Sequence, residues 1–162
     1  GVNVKVLTKR ADFIDNFFGL LASYGNFDEK QYREHMAFGF TLTGHDELER
    51  GASSNIERIG AMEELHNRGY RIFASIEPIV DFPSSMQMIN GSLPFCDLYK
   101  IGLMSGNGVT YDPVEAQNFL SELQQLPGQP KIYLKNSLVR FLGVDRKTLP
   151  ENFVESNYNM FG

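Results

Sequence analysis

The sequence predicts an α/β fold: a partial (β/α) TIM-like barrel of about five parallel strands with helices on the outer face. Three observations carry this. Short β-rich runs and helical periodicities alternate in strict succession along the chain. The strand-like runs are almost continuously hydrophobic, as in parallel sheets covered by helices. The 162 residues fall well short of the ~250 that a closed eight-unit barrel takes, so an open or partial sheet is expected.

Val4, Val6 and Leu7 form the first strand, which runs out at Thr8-Lys9-Arg10. Phe13, Ile14, Phe17, Phe18 and Leu21 then recur at helical spacing, with Gly25 as the stop. Residues 26–35 are polar and charged and read as a connection, and residues 37–43 as the second strand. Ser54-Asn55-Ile56-Glu57 fits a capping box, opening a helix whose inner face is Ile56, Ile59, Met62 and Leu65 and whose left-handed cap is Gly69. A third strand occupies residues 70–79. The turn Asp81-Phe82-Pro83-Ser84 leads into a short helix around residues 86–89, and residues 98–103 form the fourth strand.

Asp112 is placed to cap the next helix and Pro113 to open it, with Phe119, Leu120 and Leu123 facing the sheet and Pro127-Gly128 ending it. Residues 131–134 make the fifth strand, and residues 137–142 a short helix that Gly143 stops. Residues 1–143 thus form the barrel segment. Residues 144–162 form an irregular tail whose Leu149, Phe153, Val154, Tyr158 and Phe161 suit it for packing on the domain.

Composition narrows the function classes. At 42% hydrophobic, 12% aromatic and 22% charged residues, the chain has the make-up of an ordinary globular domain able to bury a core without staples. Its net charge is −5 and no basic run is longer than Lys9-Arg10, so a surface tracking nucleic-acid phosphates is not indicated. Cys96 is the only cysteine, which excludes an internal disulfide, a cysteine-based zinc site and a self-contained iron–sulfur site. No apolar run approaches the ~20 residues of a membrane helix, and no leader pattern opens the chain, so no membrane association and a reducing, cytoplasmic setting are expected. The chain begins in a strand pattern without an initiator Met and reads as a piece of a longer protein.

Ligand sites in parallel β/α folds form outside the carboxyl ends of the strands. The polar residues there are Thr8, Lys9 and Arg10; Thr41, Thr43, His45 and Asp46; Ser75, Glu77 and Asp81; Ser105 and Asn107; and Lys135, Asn136 and Ser137. Glu77 stands out because a carboxylate in an apolar strand needs a partner. Lys100 of the next strand, or a hydroxyl such as Thr41, is the expected one, either as a structural ion pair or as a grip on a ligand amine. Lys100 and Lys135 also suit a Schiff-base lyase, in which a desolvated amine attacks a carbonyl. His35, His45 and His66 lack metal-ligand spacing, and no metal site is expected. Gly102-x-x-x-Gly106-x-Gly108 reads as a tight βα turn or a phosphate cradle; it has neither P-loop nor dinucleotide spacing.

Taken in order, Leu7-Thr8-Lys9-Arg10, Phe40-Thr41-Leu42-Thr43, Glu57-Arg58-Ile59-Gly60-Ala61, Asn67-Arg68-Gly69-Tyr70 and Ser75-Ile76-Glu77-Pro78-Ile79 resemble the radical SAM superfamily. The nearest branch is that of spore photoproduct lyase-like and prophage-associated proteins, and the similarity spans residues 3–137. The resemblance implies a six-unit partial barrel that binds S-adenosylmethionine across the strand ends and a [4Fe–4S] cluster near its first strand. It implies Thr41, Thr43, Arg58, Ser75 and Glu77 as cofactor-binding residues, Thr41 and Thr43 near the ribose or carboxylate and Arg58 at the carboxylate, with Ile79 also on the adenosyl side. Lys9, His45, Ser105 and Lys135 would face the substrate. For Arg58 a helix-surface ion pair is the competing expectation.

The family's CxxxCxxC loop is absent, and Cys96 precedes its strand, on the face opposite the expected site. The resemblance therefore implies the C-terminal part of a larger enzyme, inactive alone, with the cluster-binding region upstream as its partner. The alternative is a non-catalytic half-barrel holding a small anionic or nucleoside ligand. Without the upstream units the first strand would offer a free edge, so self-association is a further expectation.

Overall fold

Five strands pair side by side in the order of the chain, every pair parallel, as the alternation of strand and helix patterns predicts. The arrangement is that of the computed structural model, which describes residues 1–25, 28–106 and 109–162. β1 (Val4–Thr8), β2 (Met36–Thr41), β3 (Arg71–Ile79), β4 (Leu98–Leu103) and β5 (Lys131–Leu134) form the sheet. Among the described residues the helices are α1 (Phe13–Ser23), α2 (Glu29–His35), α3 (Asn55–Asn67), α4 (Phe82–Ser92), α5 (Pro113–Gln124) and α6 (Asn136–Leu142). None is long and apolar enough to cross a membrane.

Strand side chains alternate between faces, and the two faces have different fates. Phe38, Phe40, Leu42, Ile72, Ala74, Ile76, Tyr99, Ile101, Ile132 and Leu134 point to one side. There they form a single core with Ile14, Met62, Leu65, Ile89, Phe119, Leu123 and Leu138 from the helices. The opposite, open face carries Ala37, Phe73 and Leu98, and the residues that cover them come from the tail: Met160, with Val154, Tyr158 and Phe161. The tail also docks on the outer edge of β5. The Ile132 N–H donates to the Asn152 carbonyl and the Val154 N–H to the Ile132 carbonyl, at 2.9 and 2.8 Å. β1, at the other edge, pairs with β2 and leaves Val4 and Leu7 exposed.

The caps follow the sequence closely. Ser54 and Glu57 form a full capping box at α3, Asp112 accepts from the Val114 and Glu115 N–H groups, Pro113 occupies the first turn of α5, and Gly143 closes α6 in the left-handed region. Ser54→Ala is expected to cost about 1 kcal/mol, the usual value of a side-chain N-cap, read as a lower urea midpoint.

Four local expectations are corrected. Part of the polar stretch 26–35 is helical, as α2, whose Asp28 side chain accepts from the Lys30 N–H; a helix without an apolar face leaves no periodicity to read. Ile56 is 80% exposed, since the buried face of α3 runs through Asn55, Arg58, Ala61, Met62 and Leu65 instead. α1 is capped by Tyr24, whose N–H donates to the Leu21 carbonyl, rather than stopped by Gly25. α4 runs from Phe82 because the Asp81 side chain accepts from the Ser84 N–H and starts it four residues before the Met-containing segment. Asn26, Phe27, Asn107 and Gly108 lie outside the described residues.

Candidate functional site

The strand ends build two distinct arrangements. The first is on the open face. Thr41 is the register partner of Ser75, Ser75 of Lys100, and Lys100 of Tyr133, so four strands place these side chains in one row. Each is flanked by neighbours that enter the helix-side core, which fixes the row on the opposite face. Below it, Phe73 lies on Gly39, where a Cβ would come within 2.2 Å of the ring. The Lys100 ammonium sits 5.1 Å from the centroid of the Phe73 ring. Above it, Glu77 pairs with Lys135. Gly102 leaves the space for that pair, since a Cβ there would come within 2.9 Å of Lys135 Cδ and 3.1 Å of Glu77 Oε1.

The expected partner of Glu77 is therefore corrected: it is Lys135, not Lys100 or Thr41, with the Glu77 side chain 31% exposed. Alternation along β4 explains this. Gly102 is the residue that faces Glu77, while Lys100 stands one level lower, opposite Ser75. Burial, together with the like charges of Lys5 and Lys135, lowers the Lys100 pKa from its ordinary value.

The second arrangement holds the end of β2 to the start of α3. Arg58 is fully buried. It donates to the Thr41 carbonyl at 2.6 Å and to Glu49 Oε2 at 2.5 Å, with the Ser54 carbonyl at 3.4 Å. Glu49 also accepts from the Thr43 hydroxyl at 2.8 Å and meets Lys9 Nζ at 2.9 Å. Burial pushes the Glu49 pKa up, but Arg58, Lys9 and Thr43 together outweigh it and hold the carboxyl below its ordinary value. Asn55 accepts from the Thr43 N–H at 3.0 Å and donates to Asp46 at 2.6 Å. Arg58 is thus neither a helix-surface pair nor a free guanidinium, and Thr43 and Lys9 are spent on the same carboxylate.

His45 links this loop to α4. Its Nδ1 meets Glu47 at 2.7 Å and its Nε2 meets Asp81 at 2.5 Å. The hydrogen bonds to Glu47 and then Asp81 raise the His45 pKa above its ordinary 6.5. Glu47 is lowered chiefly by His45. Asp81 is lowered too, because hydrogen bonds from Ser84 and His45 outweigh its desolvation.

A raised histidine adds stability that is complete below its unfolded value and is lost as pH rises through its folded one. The lowered carboxylates add stability that is present above their unfolded values and is lost as pH falls through their folded ones. As pH rises from below a histidine's ordinary 6.5 to above it, the raised His45 pKa predicts that wild-type stability falls and that of the His45→Gln variant falls less. Urea midpoints below and above that value check this.

Ser105 is exposed just past β4, apart from both networks. Cys96 is buried at the start of β4 with its thiol pushed up to about 12 by desolvation, and among the described residues no three His, Cys, Asp or Glu side chains are grouped to hold a metal. A cavity of about 340 Å³ opens between α4 and α5, lined by Phe82, Met86, Asn90, Asn118 and Glu122; it belongs to the helical layer rather than to the strand ends. Glu49, the anchor of the second network, escaped the sequence reading because it follows a short 3-10 turn at Asp46–Leu48, where periodicity carries no signal. No family model, no curated protein and no solved structure matches the chain.

Proposed function

We propose that the chain is the C-terminal barrel part of a radical SAM-type enzyme, contributing part of the S-adenosylmethionine and substrate surface and inactive alone. The observation that carries this reading is the meeting of Thr41 and Ser75. These residues, which the resemblance assigns to the cofactor, are register partners on the open face of an unbroken parallel sheet. Among the described residues their hydroxyls make no hydrogen bond within the chain. They would hold polar groups of the cofactor, while Glu77, Thr43 and Arg58 act one step back by bracing the strands and loop around them.

Bound together in the whole enzyme, S-adenosylmethionine and the [4Fe–4S] cluster supply radical generation by reductive cleavage. The residues present do not fit the cluster: one enclosed, protonated thiol at the far end of β4 is no ligand set. In this reading the cluster is held by an upstream region of the same protein, in a reducing, cytoplasmic setting. A few hydrogen bonds worth about 0.5–1.5 kcal/mol each give the chain alone an affinity for S-adenosylmethionine of about millimolar at best.

The test is anaerobic reconstitution with iron and sulfide. This chain alone is expected to form no 5′-deoxyadenosine; joined to a cysteine-bearing upstream segment it is expected to form it, and Thr41→Val with Ser75→Ala to weaken cofactor binding. Product from the chain alone, or none from the joined protein, defeats the reading. The non-catalytic half-barrel rests on the same open face and survives only in the second of those outcomes. Borohydride reduction with a carbonyl compound tests the lyase alternative at Lys100, and no adduct is expected.

A further inference from the structure

We infer that the open face carries an oxyanion site, for a phosphate or carboxylate group of a ligand, centred on Lys100 with Ser75 and Thr41 beside it. Three observations converge on this row. Lys100 is half-buried in an apolar setting over Phe73, yet among the described residues it has no ion pair and no hydrogen bond. Its charged neighbours are like charges, Lys5 and Lys135. The glutamates at the strand ends are already taken, Glu77 by Lys135 and Glu49 by Arg58 and Lys9.

A charge drawn partly out of water costs free energy unless something neutralises it, and among the described residues no opposite charge meets this one. Ser75 and Thr41 supply hydroxyl donors at the same level, with no hydrogen-bond partner among the described residues. Neighbouring strands are about 4.8 Å apart, so donors from three consecutive strands span about the width of one phosphate or carboxylate with its hydrogen-bond shell.

The tail meets this row at Tyr133, where Arg146 lies 5.3 Å from the ring centroid, and its apolar residues otherwise gather around Ala37, Phe73 and Leu98. Its Phe161 ring packs lower on the sheet, with Arg71 at 5.2 Å and Lys5 at 5.9 Å from its centroid, while Met160 joins Ala37, Phe73 and Leu98. Phe73 holds the stem of Lys100 from below, and the Glu77–Lys135 pair bounds the row from above. A cation seated on an aromatic ring, with two hydroxyls aligned to it, is pre-organised for a small anion.

The site requires neither the cofactor nor the cluster, so its test is separate from that of the proposed function. Inorganic phosphate and, in a parallel arm, acetate are titrated into the full chain at low ionic strength, followed by amide NMR shifts. Shifts are expected to centre on residues 41, 75 and 100; stronger binding in the phosphate arm points to a phosphate-bearing ligand, and stronger binding in the acetate arm to a carboxylate. Lys100→Met, which keeps the stem on Phe73, is expected to weaken binding about tenfold, as loss of one charge-assisted hydrogen bond does. Lys100→Arg is expected to retain most of it. Lys131→Met, on the same face one level lower opposite Leu98, serves as the control and is expected to change it by less than about twofold. Equal weakening by Lys100→Met and Lys131→Met, or shifts spread over every lysine-bearing surface, would overturn the inference.

Discussion

Arg58→Met is expected to cost about 3–5 kcal/mol of folding stability, the range found when one member of a buried ion pair is removed. Methionine fills much of the same volume, so the loss is electrostatic rather than a cavity. It strips Glu49 of its buried cation and leaves the Thr41 carbonyl without its donor. Lys9 stays beside Glu49, but its side chain is 48% exposed, and water screens what it can return. The measurement is a urea denaturation curve followed by circular dichroism. The double variant Arg58→Met with Glu49→Gln is expected to recover part of the loss, because it removes the stranded charge as well. A single variant as stable as wild type would mean that Arg58 does not anchor the loop between β2 and α3.

Gly39→Ala is expected to destabilise by about 1–3 kcal/mol through overpacking. The added methyl would lie 2.2 Å from the Phe73 ring, which is itself 2% exposed and hemmed in by Ala37, Leu98 and Met160. The ring has to move, and the Lys100 stem above it moves with it. The variant is therefore expected to weaken phosphate binding as well, though Gly39 itself offers no group to the anion. Gly39→Ala combined with Phe73→Leu is expected to relieve the clash and restore part of the stability. Chemical denaturation, with the phosphate titration repeated on each variant, checks both effects.

What the sequence disclosed follows physical lines. β4 and β5 coincide with the runs 98–103 and 131–134, because an apolar run between turn residues is a local signal. The caps at Ser54, Asp112 and Gly143 are local too, each set by a side chain and backbone groups a few residues away. Glu77 was legible as a carboxylate that needs a partner, but the identity of that partner was not. The choice between Lys100 and Lys135 depends on how β3 and β4 register, and the register shifts between Ile76 and Ile79. Arg58 was singled out for its motif, and its burial could not be foreseen, since nothing local announces that Glu49 folds back beneath it. The row of Thr41, Ser75, Lys100 and Tyr133 draws one residue from each of four strands, so only the pairing of those strands assembles it.

The asymmetry between the two sheet edges sets a limit on assembly. Were both edges bare, β1 of one copy could meet β5 of the next, and that head-to-tail contact would repeat without end into a fibre. The tail segment bonded to Ile132 removes one of the two surfaces such a chain of copies requires. Two β1 edges meeting about a two-fold axis would instead run antiparallel and use each other up. A short, irregular stretch after the last helix thus occupies the place at Ile132 where a further strand would pair, so a neighbour approaching β5 meets the tail first.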